Sequence, residues 1–175
     1  MSHKPLGEEN IEAISIIKNR RSIRRYEDNP VPKEVLREIL DCARLAPTAG
    51  NAQAWLFGCI DDKTILGKLA EITLYGKFIK NSAACFAVFS RVDHQFPVDD
   101  GSAATMNIIY GAAALGLGTC WIWGNTAPYD DDVRKLLGVP EGYRLIALVP
   151  AGYPAEEPKP RKKPLEDVSF WNTYQ

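Results

Sequence analysis

Apolar positions recur along this chain at two spacings, one helical and one strand-like, and polar turns separate them. Ile11, Ile14 and Ile17 follow the acidic pair Glu8-Glu9 at helical spacing, so a helix is predicted that runs into the basic group starting at Arg20. A turn at Asn29-Pro30 leads to a second helix opened by Pro32; its apolar face is Val35, Leu36, Ile39, Leu40 and Ala43, and Pro47 ends it. The small, polar run Pro47-Thr48-Ala49-Gly50-Asn51-Ala52-Gln53 then feeds a buried strand through Trp55–Ile60. Ile65, Leu66, Leu69 and Ile72 mark a third helix, and Ala84–Phe89 a second strand, followed by a polar loop with His94.

From Ser102 to Leu115 the residues are almost all small and apolar, which predicts a central helix buried on every side and suited to sharing between two subunits. Gly116-Leu117-Gly118 breaks it, and Thr119–Gly124 is predicted as one strand. Asp130-Asp131-Asp132 suit the positive start of a short helix through Val133, Leu136 and Leu137 that Gly138 and Pro140 close. A carboxylate metal site is the alternative for those three residues. A strand over Arg144–Val149 precedes a proline-rich tail ending in Phe170, Trp171 and Tyr174, large groups that need a covering surface, here expected to be a partner subunit.

With 175 residues and 46% apolar content, the chain is expected to fold as one domain, residues 1–175, with 152–175 as an extended tail. Met1-Ser2-His3-Lys4 is not the start of an apolar leader, and no segment reaches the roughly 20 apolar residues that span a bilayer. A cytoplasmic protein without a membrane partner is expected. Cys42, Cys59, Cys85 and Cys120 form no C-x-x-C pair and are read as reduced, buried hydrophobes; His3 and His94 complete neither a zinc site nor a nucleophile's base. A net charge of -1 argues against nucleic-acid binding.

That balance hides two concentrated basic groups, Arg20-Arg21-Ser22-Ile23-Arg24-Arg25 and Lys159-Pro160-Arg161-Lys162-Lys163. Holding them together in one fold is costly unless an anion lies between them. Arginine matches phosphate bidentately and Ser22 adds a hydroxyl donor, so a phosphate clamp is the sharper reading; solvated surface charge is the plainer one. Asn51 and Gln53 add amides able to read the polar edge of a heterocycle. There is no Walker loop, G-x-G-x-x-G or serine–histidine pair, so a phosphorylated cofactor is expected to supply any chemistry.

Several motifs then occur in a familiar order: Arg20-Arg21-Ser22-Ile23-Arg24 after the first helix, Ala46–Trp55 entering a strand, and Gly116–Ile122 after the alanine-rich helix. With the basic tail Arg161–Glu166, this order resembles the nitroreductase family over nearly the whole chain. The resemblance implies an FMN-dependent oxidoreductase of α+β class, a mixed central sheet flanked by helices, built as an intertwined homodimer with FMN at the subunit interface. It implies that Arg20, Arg21, Ser22 and Arg24 hold the phosphate and the flavin's polar edge, with Arg161 and Lys163 completing the phosphate site. Pro47, Thr48, Ala49, Asn51 and Gln53 match a loop that reaches the flavin largely from the other subunit, and Trp123 and Gly124 match positions beside the ring. Lys77 corresponds to a cation near its pyrimidine end. The implied reaction is ping-pong, from NADH or NADPH to a nitroaromatic, quinone or similar small acceptor, with no side chain as obligatory catalyst. Same-fold dehalogenation or flavin breakdown, and a flavin-binding sensor or storage module without turnover, are the alternatives. The chain is short, leaving little cover for the pocket. The bulk of Trp123 either stacks near the flavin or fills the core.

Overall fold

The computed structural model describes residues 8–174, with side chains from Glu12 onward, so the expectations for Met1–Lys4 and for the Ile11 side chain lie outside the described residues. The helices are α1 (Glu8–Asn19), α2 (Lys33–Arg44), α3 (Lys63–Ile72), α4 (Pro97–Ala114) and α5 (Asp130–Leu136). The strands are β1 (Trp55–Ile60), β2 (Ala84–Arg91), β3 (Gly118–Thr119), β4 (Ile122–Trp123) and β5 (Tyr143–Gly152). They form one sheet in the order β1-β2-β5-β3, with β4 also on β5, giving the α+β class. All these pairs are antiparallel. The parallel part of the expected mixed sheet reduces to one bridge, between Ser22 and Thr119.

β2 has no polar face because both of its faces are covered: Ala84–Ser90 are all buried. Phe86 and Val88 pack towards Leu36 and Ile39 of α2 and Ile108 of α4. Cys85, Ala87 and Phe89 alternate to the other face, against Leu66 and Leu69 of α3 and Val133 of α5. Each large side chain so buried contributes about 1.5–3 kcal/mol. The carboxylate of Asp62 caps α3 by accepting from Thr64 N and Ile65 N at 2.8 and 3.0 Å.

Two expectations need correction. The strand predicted over Thr119–Gly124 divides into β3 and β4, set end to end along one edge of β5. Pro150 of β5 lies opposite the gap and has no N–H to give, so the ladder there keeps Cys120 N to Pro150 O, at 3.4 Å. Nor is α4 buried on every side within a single chain. Ala104, Thr105, Ile108 and Ala112 are buried, whereas Ala103, Met106, Tyr110 and Ala113 are half-covered.

The segment after α1 is fastened on two sides. Ile23 N donates to Thr119 O at 2.8 Å, and Ala155 N donates to Arg25 O at 2.9 Å as the chain returns from β5. Ile23 is buried so tightly against Gly118 that a Cβ there would lie 2.6 Å from Ile23 Cγ1. Beyond this seam the tail is open: Phe170, Trp171 and Tyr174 are 61%, 91% and 85% exposed. Gly118→Ala is expected to cost about 1–3 kcal/mol by overpacking. At about 2–4 °C per kcal/mol, a calorimetric melt checks this. Gly67, inside α3, meets nothing within 4 Å at its Cβ position, so Gly67→Ala is expected to raise the same midpoint.

Candidate functional site

The two basic groups meet. Arg20, Arg21, Ser22 and Arg24 line a cavity of about 550 Å³ together with Ile17, Lys18, Pro158, Pro160 and Lys162. The tail contributes Lys162 rather than the anticipated Arg161 and Lys163, which are exposed and flank it. All three consecutive cations are exposed, and Lys162 is the one that borders the cavity. Arg21 Nη1 donates to Lys18 O at 2.8 Å and Arg20 O at 3.0 Å, which ties its guanidinium to the end of α1.

Glu156 and Glu157 border Arg20 and Arg21 on an adjoining surface, and the first of them is already engaged. Glu156 Oε1 accepts from the backbone N–H groups of Arg24 and Arg25 at 2.6 and 3.1 Å. Ion pairs among the described residues lie elsewhere, so the guanidinium groups of Arg20, Arg21 and Arg24 and the Lys162 ammonium have no carboxylate partner within 4.0 Å. Several cations and a hydroxyl around one unneutralised cavity are a donor set that fits a phosphate. Glu156 is a residue bordering the site that sequence reasoning missed; its signal was an acidic pair, Glu156-Glu157, shortly before the basic tail.

Lys77 sits in a 3₁₀ turn over Lys77–Asn81 and donates to Glu71 O at 2.9 Å, so its ammonium is turned towards the end of α3. The next residue, Phe78, places its ring 6.0 Å from the Arg24 guanidinium carbon, which brings this turn beside the clamp.

The Pro47–Gln53 loop is a separate structure. Ala49, Gly50, Asn51 and Gln53 are exposed, and Gly50, Asn51 and Gln53 all have positive φ, at 59°, 56° and 50°. Thr48 Oγ1 accepts from Gln53 N at 3.0 Å, and Ala49 N donates to both oxygens of Asp100, at 3.2 and 3.3 Å. Asp100 is buried and also lies 2.8 Å from His94 Nε2. Pro97 begins α4 as a first-turn proline, a start signal that places Asp100 inside the helix rather than in the loop before Ser102.

Trp123, in β4, pairs with Ala147 of β5. It is 43% exposed, so it does not fill the core; its indole N–H donates to Asn125 O, and Tyr129 donates its hydroxyl to Trp123 O. Gly124 is required by packing, since a Cβ there would meet the Ile146 backbone at 2.8 Å. Asp130 accepts from Leu145 N at 2.8 Å and ties α5 to β5, while Asp131 pairs with Arg134 within α5. Burial raises all four thiols, Cys59 to about 11, and keeps them protonated at neutral pH. At Cys120 burial outweighs the opposing pull of Arg24 and Arg20.

The loop and the clamp stand at opposite ends of α4. Asp100, in its first turn, holds the loop, and Gly116–Gly118, just past its end, border Arg20, Arg21 and Ile23. At 1.5 Å per residue the separation along the helix is about 24 Å.

The model of the Nitroreductase family matches residues 17–92 and 73–153. A protein of Archaeoglobus fulgidus named "Putative NADH dehydrogenase/NAD(P)H nitroreductase" is 36% identical over 83% of this chain and 87% of its own. An iodotyrosine deiodinase of Thermotoga neapolitana is 26% identical over 91% of this chain and 97% of its own. Among solved structures, an FMN-dependent nitroreductase from Clostridium difficile R20291 superposes with a TM-score of 0.85 and 32% identity, covering 92% of this chain and 99% of that one. Sheet order, helix placement and this similarity along most of the sequence agree, and the chain belongs to the nitroreductase family.

Proposed function

We propose that this protein is an FMN-dependent oxidoreductase that takes electrons from NADH or NADPH and passes them to a nitroaromatic, quinone or similar small acceptor. The observation that carries this is the convergence of Arg20, Arg21, Ser22, Arg24 and Lys162 on one cavity of about 550 Å³ whose lining, among the described residues, holds no carboxylate. Bound FMN supplies the hydride-accepting and electron-donating chemistry. The protein's part is binding, orientation and electrostatics. Arg20, Ser22 and Arg24 hold the phosphate with Lys162, and Arg161 and Lys163 on the exposed tail strengthen the positive potential around it. Trp123, exposed and pinned by Asn125 and Tyr129, forms a wall of the acceptor pocket beside Gly124. One pocket serves donor and acceptor in turn, which is a ping-pong order. Free cysteines are in keeping with a cytoplasmic setting. No helix of the described residues is long and apolar enough to cross a membrane.

A homodimer with FMN at its interface completes this proposal. A loop and a clamp about 24 Å apart along one helix belong to one site only if a second copy brings its loop to the first copy's clamp. The half-covered face of α4 and the exposed Phe170, Trp171 and Tyr174 are the surfaces such a partner would cover. The deiodinase relative favours dehalogenation as the second reading.

The purified protein is expected to be yellow and to be bleached anaerobically by NADH or NADPH. Protein that stays colourless and binds no added FMN would sink the proposal. Arg24→Ala is expected to weaken FMN binding about tenfold to a hundredfold, the worth of one charged phosphate contact, in a fluorescence titration. Trp123→Ala is expected to shift kcat/KM between bulky and compact acceptors by about tenfold, and turnover of halogenated phenols in the same series distinguishes the dehalogenation reading. Removing Phe170–Gln175 is expected to abolish dimerisation and FMN retention together, measured by light scattering and absorbance; a monomer that keeps full FMN affinity would exclude an interfacial site.

A further inference from the structure

Beneath the Pro47–Gln53 loop lies a polar device that the clamp does not use. Asp100 is 6% exposed, and its carboxylate serves partners on two elements: the Ala49 N–H at 3.2 and 3.3 Å, and His94 Nε2 at 2.8 Å. A buried carboxylate is costly unless its oxygens are satisfied by donors, and here the donors are one backbone amide of an exposed loop and one imidazole. A carboxylate only accepts, so this contact is a hydrogen bond when the His94 tautomer carries its hydrogen on Nε2. The loop above needs such a hold. Asn51 and Gln53 carry φ of 56° and 50°, a region that costs about 1–3 kcal/mol for a residue with a side chain, so the shape persists only while its ends are fixed. Within the loop Thr48 Oγ1 accepts from Gln53 N, Thr48 O from Asn51 N and Asn51 O from the Gln53 amide, and the Asp100 carboxylate holds Ala49 from outside it. Asp100 is itself rigid, because the adjacent Gly101 lies so close to Ile146 that a Cβ would sit 2.7 Å from its Cγ1.

We propose that Asp100 and His94 are positioning residues for flavin binding: His94 orients the Asp100 carboxylate, which grips Ala49 N–H and holds Asn51 and Gln53 in the left-handed shape that presents their amides to the ring. This rests on the proposal above that the loop touches FMN. It adds that loop geometry is set from the start of α4, at the far end of that helix from the phosphate clamp. Affinity for FMN therefore has two separable sources, charge at the clamp and preorganisation at the loop.

The test compares wild type with His94→Ala, His94→Gln and Asp100→Asn, reading amide hydrogen exchange over residues 49–53 in FMN-free protein, FMN affinity, and the melting midpoint. His94→Ala is expected to speed exchange in the loop and to raise the FMN Kd, each by about tenfold. His94→Gln, which can still donate to the carboxylate, is expected to return both to within about twofold of wild type. Asp100→Asn keeps an acceptor but loses charge assistance, so an intermediate loss of several-fold is expected. A fall in melting midpoint in all variants with unchanged exchange and unchanged Kd would overturn the proposal and leave a plain structural contact. Looser loops with wild-type FMN affinity would overturn it too, while sparing the flavin assignment. Wild-type protein that binds no FMN would instead defeat the flavin assignment, and with it this inference.

Discussion

The carboxylate of Glu156 holds two successive backbone N–H groups, those of Arg24 and Arg25, and much of the site follows from that choice of partner. Had the same carboxylate paired with a guanidinium, it would have neutralised the cavity it borders. Bound to backbone, it fixes the segment of arginines against the returning tail and leaves their charged ends without a carboxylate partner among the described residues. Like charges so assembled repel, and a chain that gathers them without a counter-ion is preorganised for an anion. The folding cost of this arrangement is met by the seam around it: Ile23 against Gly118, the Ser22–Thr119 bridge, and Tyr26 hydrogen-bonding Ile23 O at 2.7 Å.

That seam is attached to a sheet covered on both faces, which explains its rigidity. The buried run of β2 and the paired β5 leave no freedom to slip, because a shift of one residue would turn Phe86 and Val88 from one helical layer to the other. Tyr26 is a second link, with its hydroxyl 3.2 Å from Pro150 O, and burial keeps that phenol protonated and able to donate.

At the other end of α4 the constraint is different in kind. The exposed loop there is held by hydrogen bonds rather than by packing, and its left-handed residues are fixed from below by Asp100 and from within by Thr48. Clamp and loop are thus two halves with different physics, one electrostatic and one conformational, joined by a helix too long for both to serve one ligand within a single chain. The proposed dimer resolves that mismatch, and the half-covered small residues of α4 and the uncovered aromatic tail belong to the same picture.

Local pattern in the sequence was sufficient for much of this. The apolar periodicity of α2 and α3, the proline before Lys33, the unbroken apolar run of β2 and the two basic groups are each decided by residues within a turn or two of one another. The family resemblance likewise rested on short motifs in order. What escaped depends on partners far apart in the chain. The division of β3 from β4 is caused by Pro150 across the ladder, and the roles of Glu156 and Asp100 by backbone donors 132 and 51 residues away. Which tail cation borders the cavity, and that Trp123 faces outward, are likewise set by how distant segments meet. Propensity and periodicity describe a residue's near neighbours, whereas a site is made by long-range pairing, and only the folded chain decides which groups are brought within hydrogen-bonding reach.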